Sequence, residues 1–229
     1  IKGESYERLQ DPARIWQLVQ AIYQDFLAED EIAAIGLTGQ MHGLVYVDAE
    51  GSAVSPLYTW EDERGNCFIT DTDKENGTDS GRKAVDQETA AAMACDTAAM
   101  EAQSEKTAHL TYAQQLSNLT GYPMATGFGL TTHYYNLKNN LVPKQAATFC
   151  TIHDYIAMKL IGRKKPLMTA GDAASFGCFD VETMCFDAAA LKRAGIDASV
   201  LPECTADFSL VGTTAEKIPV AAAIGDNQA

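Results

Sequence analysis

Three short stretches carry side chains able to do chemistry. The first is Gly39-Gln40-Met41-His42-Gly43, an amide, a thioether and an imidazole between two glycines. Gln40 and His42 both donate and accept hydrogen bonds, and the glycines allow a tight turn and a close approach of backbone to a ligand. A polyhydroxylated molecule needs such mixed donors and acceptors. The second is Trp60-Glu61-Asp62-Glu63-Arg64, a flat indole beside carboxylates and a guanidinium. An aromatic face against sugar C–H groups, with a carboxylate on the hydroxyls, is ordinary carbohydrate-site chemistry. The third is Gly225-Asp226-Asn227, a carboxylate delivered by a glycine at the end of an apolar run. Each has a plainer reading as well. The triplet can be a half-buried hairpin end with a satisfied His42, Arg64 can simply pair with Asp62 or Glu61, and Gly-Asp-Asn can be an N-cap or a turn.

The elements around these residues decide where they point. A β-type run over residues 32–38 breaks at Gly39, so the triplet falls at a strand end, and a second run follows over 44–47. After an Asp-Ala-Glu-Gly turn the chain reaches Trp60, and three short strands with tight connections predict a mixed rather than fully parallel sheet. Ahead of them, Asp11-Pro12 reads as an N-cap with proline in the first helical position. It opens an amphipathic helix to about Leu27, with Ile15, Leu18, Val19, Ile22 and Phe26 on one face and Trp16 as core packing.

Residues 66–106 are first polar, then Ala-rich, and predict a loop and a weak helix without chemistry. Residues 112–121 form a helix that Gly121 ends as a C-cap. Gly127 and Gly129 lead into another that Pro143 stops, with His133 on it as a structural residue. The Gly-x-Gly there lacks a third glycine and a preceding parallel strand, which excludes a dinucleotide fingerprint. A strand at 149–152 precedes a helix at 153–162, where Asp154 reads as the N-cap. Without a nucleophile motif such as G-x-S-x-G, the His153-Asp154 pair gives no reason to expect catalysis. Asp172 reads either as an acid standing behind the site or as a plain turn residue. A helix at 187–195 and a strand at 220–224 complete the chain, the latter delivering Gly225-Asp226.

At 229 residues and 46% hydrophobic composition the chain has material for a real core. Its net charge of -14 argues against nucleic acid and against anionic membrane surfaces, both of which attract Lys/Arg clusters. The six cysteines show no C-x-x-C pair, so reduced thiols and a cytoplasmic location are expected, with no metal site. No apolar run approaches the ~20 residues that cross a bilayer.

Taken together, G-Q-M-H-G and the W-x-D-x-R string one hairpin later resemble the sugar-recognition segment of the FGGY carbohydrate kinases, and Gly225-Asp226-Asn227-Gln228 resembles their G-D-x-Q/A motif. Further pieces fit the same family: T-G-F-G-L-T-T-H-Y-Y-N-L-K-N-N from Thr126, and D-A-A-S-x-G-x-F-D from Asp172. These look closer to sedoheptulokinase-like members than to xylulokinase-like ones. The resemblance implies an α/β, actin-like or ribonuclease-H-like domain with a mixed central sheet flanked by helices. It further implies that residues 1–229 are part of the N-terminal sugar-binding domain, with an insertion at 66–106. The family's D-x-G-T-[ST] phosphate-binding hairpin is expected ahead of residue 1, and its nucleotide-binding domain after residue 229.

The implied reaction is transfer of the γ-phosphoryl group of ATP, with Mg2+, to the terminal primary hydroxyl of a ketose, sedoheptulose or xylulose. The resemblance makes Asp226 the catalytic base. Gln40, Met41, His42, Trp60, Asp62, Arg64 and Asn227 become sugar contacts, and ATP and Mg2+ are held mainly by parts of the fold outside this chain. It allows a homodimer and implies that this segment alone is inactive as a kinase. The alternative is a carbohydrate-binding or regulatory module that keeps the sugar pocket and has lost catalysis.

Overall fold

The computed structural model describes residues 3–69, 110–206, 210–227 and 229. The insertion expected at 66–106 lies, beyond residue 69, outside the described residues, as does the Ala-rich helix within it. Strand β1 (Leu9–Gln10) leads into α1 (Pro12–Glu29) and then β2 (Thr38–Gly39), β3 (Val45–Val47) and β4 (Leu57–Tyr58). A 3-10 turn (Arg64–Asn66) follows. Next come α2 (Tyr112–Thr120), α3 (Gly129–Lys138), β5 (Thr148–Cys150), α4 (Ile152–Leu160), β6 (Leu167–Thr169) and α5 (Ala170–Ser175). The chain continues through β7 (Phe179–Asp180), β8 (Cys185–Phe186), α6 (Ala188–Arg193), β9 (Glu203–Thr205), β10 (Leu210–Thr213), β11 (Pro219–Ala221) and β12 (Ile224–Gly225).

Pairing is of both kinds, as short connected strands require. β1 and β4 run antiparallel, and so do β3 and β5; reciprocal bonds between Leu44 and Tyr58 join the two pairs. β2 and β12 are parallel, with Thr38 opposite Ile224 and Gly39 opposite Gly225, and Ile35 meets Val220 further back. β6 and β9 form a second parallel pair. The run at 32–38 is laddered only at Ile35 and at β2, shorter than its composition predicts, because Ala33, Ala34, Gly36 and Thr38 are exposed. The core lies between the antiparallel ladder and helices α2, α3 and α4. Leu44, Tyr46, Leu57, Leu116, Leu130, Tyr134, Phe149 and Phe176 are fully enclosed in it.

Caps explain most helix ends. Asp11 accepts from the Ala13 N–H at 2.9 Å with Pro12 at the first position, as the Asp-Pro pair predicts. Gly121 ends α2 in the left-handed region at φ 81°, the conformation that favours glycine. Two expectations are corrected. Thr151, not Asp154, caps α4; its hydroxyl accepts from the Asp154 N–H, and Asp154 sits in the first turn. Helix α3 stops at Lys138, before Pro143, because Asn139 leaves helical geometry and Asn140 turns left-handed at φ 56°.

Among the described α-helices, α1 is the least embedded. Only Pro12 is buried, while Leu18, Ile22 and Phe26 of its apolar stripe stay 46–55% exposed. Ile22 and Phe26, with Val19, Ile32, Ala34, Ile35 and Leu37, line a groove of about 380 Å³. Among the described residues no helix is long and apolar enough to cross a membrane. Cys67, Cys150, Cys178, Cys185 and Cys204 are all free thiols, and Cys95 lies outside the described residues.

Candidate functional site

The parallel pair β2–β12 ends where the chemistry begins. Its two strands stop at Gly39 and Gly225, register partners, so Gln40 and Asp226 emerge side by side. The Asp226 N–H donates to the Gly39 carbonyl at 2.9 Å, tying the two turns together through main chain alone. Asp226 and Asn227 are exposed. Two segments more than 180 residues apart in sequence thus converge on one surface.

Within the first turn the three side chains separate. Gln40 is half-buried and donates its amide to Gln10 Oε1 at 3.2 Å. His42 takes a left-handed backbone, φ 69°, and stacks flat on Phe128, with ring centroids 4.8 Å apart and planes 2° from parallel. Its Nδ1 lies 2.7 Å from the Ser175 carbonyl, and its N–H lies 3.3 Å from Ser175 Oγ. A carbonyl only accepts, so Nδ1 carries the proton, and in the neutral ring Nε2 is left as an acceptor. Met41 instead turns inward. It is 8% exposed and fills the space above Gly225, where an added methyl group would overlap Met41 Cγ. Met41, expected as a sugar contact, packs here beneath the turn.

The second stretch also divides. Trp60 is 55% exposed and free to offer its indole face. Its carbonyl presses on Gly127, which has φ 83° and no room for a side chain. Asp62 and Arg64, by contrast, are 0% and 1% exposed. Arg64 Nε reaches Asp62 Oδ1 at 2.6 Å and Nη2 reaches Oδ2 at 3.1 Å. The guanidinium also donates to Asn136 Oδ1 and stacks 4.2 Å from the Tyr58 ring centre. This carboxylate and guanidinium, expected as sugar contacts, satisfy each other in this fold, as a buried ion pair must. The chain of contacts continues through Asn136 to Tyr46 Oη, which lies 2.8 Å from His133 Nδ1. Burial pushes His133 down to about 4, so it is neutral and structural.

Four residues shape the site from behind: sequence reasoning left out three of them, Phe128, Ser175 and His153, and read the fourth, Asp172, either as an acid behind the site or as a turn residue. Phe128 stacks on His42 and Ser175 grips it, while His153 and Asp172 lie under the glycines. A methyl group at Gly39 would stand 2.9 Å from His153 Nδ1, and one at Gly225 would stand 3.1 Å from Asp172 Oδ1. The two glycines are thus required by close internal packing rather than by a ligand. Gly43 is likewise pressed on the Tyr58 carbonyl. One signal for this cluster was legible: Asp172 and Ser175, three apart, lie on one face of a helix. Among the described residues His153, Asp154 and Asp172 alone come close enough to share a cation, and all three are buried. His153 and Asp172 already form an ion pair there, so no metal is assigned to them.

An open α/β surface with two glycine-edged turns, one carrying an exposed carboxylate and the other an amide and an imidazole, agrees with what comparison with known proteins finds. The chain matches the FGGY family of carbohydrate kinases, N-terminal domain, over residues 2–95 and 84–229, and it belongs to that family. Sedoheptulokinase of Mus musculus is 28% identical over 97% of this chain, and sedoheptulokinase of Homo sapiens 27% identical over the same share. Xylulose kinase of Staphylococcus xylosus is 26% identical over 86% of it. The chain spans 43% of the length of the two sedoheptulokinases and 34% of the xylulose kinase. In fold it is similar to the ligand-bound xylulose kinase from Lactobacillus acidophilus, with a TM-score of 0.69 at 20% identity, covering 100% of this chain and 42% of that one. The fold is the actin-like α/β arrangement that the resemblance implied.

Proposed function

We propose that this chain is the sugar-binding part of an ATP-dependent carbohydrate kinase acting on a ketose, sedoheptulose or xylulose. The terminal primary hydroxyl attacks the γ-phosphorus of MgATP in line, the bond from that phosphorus to the bridging oxygen breaks, and ADP leaves with the electron pair. Asp226 accepts the hydroxyl proton. Gln40 and His42 hold the sugar hydroxyls by donation and acceptance, Trp60 covers a C–H face, and Asn227 adds an amide beside the base. Met41, Asp62 and Arg64 act from beneath, by filling and fixing the turns. Positioning is most of the catalysis in phosphoryl transfer, and MgATP enters as the co-substrate. The free thiols fit a reducing cytoplasm.

The observation that carries this reading is the 2.9 Å bond from the Asp226 N–H to the Gly39 carbonyl, which sets an exposed carboxylate beside the hydroxyl-binding turn. The choice of ketose rests on the names of the relatives. The test offers the full-length gene product MgATP with sedoheptulose, xylulose, ribulose or glycerol. Phosphorylation of one of the first two above the others is expected, with a loss of about 10²- to 10⁴-fold in Asp226→Asn. Absence of transfer to all four sugars, or an Asp226→Asn variant as active as the parent, would overturn it. Sugar binding without turnover would select a binding module instead.

A further inference from the structure

Beneath the two turns lies a cluster that the reaction above does not use. Helices α4 and α5 begin with the same pattern, Thr-x-x-Asp. Thr151 Oγ1 donates to Asp154 Oδ2 at 2.6 Å, and Thr169 Oγ1 donates to Asp172 Oδ2 at 3.0 Å. His153, in the first turn of α4, crosses between the two helices. Its Nε2 lies 3.1 Å from Asp172 Oδ2, out of line for a hydrogen bond, so charge rather than direction holds the pair. His153 is 3% exposed, Asp154 1% and Asp172 0%. Nδ1 of His153 and Oδ1 of each aspartate have no hydrogen-bond partner. Three polar atoms left bare in the interior are costly, and the cluster keeps its shape through its charges.

The position of this cluster gives it a consequence. The His153 ring backs Gly39, which accepts the Asp226 amide bond, and the Asp172 carboxylate backs Gly225. One turn further along α5, Ser175 holds His42 at both its N–H and its Nδ1. Helix α5 therefore touches both halves of the site, and His153 pins α5 to α4. We infer that His153 is a positioning residue: as an imidazolium paired with Asp172 it locks α5 under both turns, and loss of its proton loosens the sugar-binding and proton-accepting groups together. This inference rests on the kinase reading.

The groups facing His153 are Asp154 on its own helix, Asp172 on α5 and Asp226 above. Burial opposes its protonation, but the contact with Asp172 and the charges of Asp154, Asp172 and Asp226 outweigh it and raise its pKa above the ordinary histidine value. The ion pair is thus held to higher pH than an ordinary histidine would allow and is lost as pH rises through that raised value.

The test measures kcat, sugar KM and MgATP KM of the full-length gene product from pH 6 to 9 for the parent, His153→Gln, His153→Lys and Asp172→Asn. The parent should lose kcat on the alkaline side. His153→Lys should keep activity and move that loss upward by more than about one pH unit, since lysine titrates near 10.4. His153→Gln and Asp172→Asn should lose about tenfold to a hundredfold in kcat, raise sugar KM, leave MgATP KM within twofold and show no alkaline loss. A residue that only supports folding would lower the active fraction and leave both KM values and the pH profile unchanged. That result, or a His153→Lys variant as impaired as His153→Gln, would overturn the inference. Amide exchange at Asp226 separates the two readings, because it needs no turnover. If the parent phosphorylates no sugar, faster Asp226 exchange in His153→Gln still supports the brace, and unchanged exchange removes it.

Discussion

At the scale of single residues, the site depends on glycines that admit no substituent. Gly225→Ala would drive a methyl into Met41, and overpacking of this kind costs about 1–3 kcal/mol. Thermal unfolding should show that loss, and Met41→Ala in the Gly225→Ala background should recover much of it by vacating the clash. Two buried titrating groups make a second residue-level prediction, with opposite signs. His133 is pushed down by burial to about 4, so the unfolded chain takes up its proton first as pH falls below 6.5, and stability drops by about 1.4 kcal/mol per pH unit until pH 4. Asp154 is pushed up to about 7, chiefly by burial, so the unfolded chain ionises first, and stability drops as pH rises from 3.8 to 7. The contributions of these two groups oppose each other in this window. Denaturant titrations should find His133→Gln gaining on the parent as pH falls and Asp154→Asn gaining as pH rises; parallel profiles would contradict both shifts. Residue types alone made Gln40, His42 and Trp60 candidates, since donors, acceptors and an indole suit a sugar, while Asp226 became one only through the family resemblance. They could not announce that Asp62 and Arg64 face inward, because the same pair serves equally well as a ligand clamp or as an internal ion pair. Only the closeness of Tyr58 and Asn136, which come from other elements, decides it.

Elements divide by how deeply they are set. In α4 every residue from Ile152 to Met158 is buried, whereas α1 buries only Pro12. Amide exchange across α1 should accordingly run far faster than across α4, and Asp11→Ala, which removes the cap, should cost about 1 kcal/mol and speed exchange in α1 alone. Equal protection of the two helices would refute this. The cap itself was legible because Asp-Pro has few other uses; the weak seating of α1 was not, because an apolar stripe says nothing of what covers it. The ends of α3 and α4 were misplaced for a related reason. Asn139-Asn140 and Thr151 act as stops and caps only in a particular backbone geometry, and Pro143 and Asp154 looked stronger in one dimension. The stack of Phe128 on His42 joins segments 86 positions apart by number and leaves no local periodicity to read.

For the molecule as a whole, the site is open. Trp60, Asp226 and Asn227 all face solvent, and no described part of this chain closes over them. Phosphoryl transfer needs water kept from the phosphorus, so the 229-residue chain by itself should not turn over ATP, measured as ADP release with sedoheptulose present. Turnover at ordinary kinase rates of 1–100 s⁻¹, an order of magnitude drawn from such enzymes in general, would refute that. The groove between α1 and residues 32–37 makes another expectation at this scale. Its exposed Ile22 and Phe26 should take up a hydrophobic dye, and Ile22→Lys with Phe26→Glu should abolish the signal without unfolding the chain. Pairing of both kinds was legible from short strands with tight connections, and the meeting of the Gly39 and Gly225 turns only through the family resemblance. The shortness of the ladders was not, since pairing depends on partners far along the chain. The join between Gly39 and Asp226 has one more implication. It is made of peptide groups, so no replacement of side chains at 40–42 can erase it. Such a scaffold can retune which alcohol it welcomes while its acid stays anchored, and preference and reactivity can drift independently on a common strut.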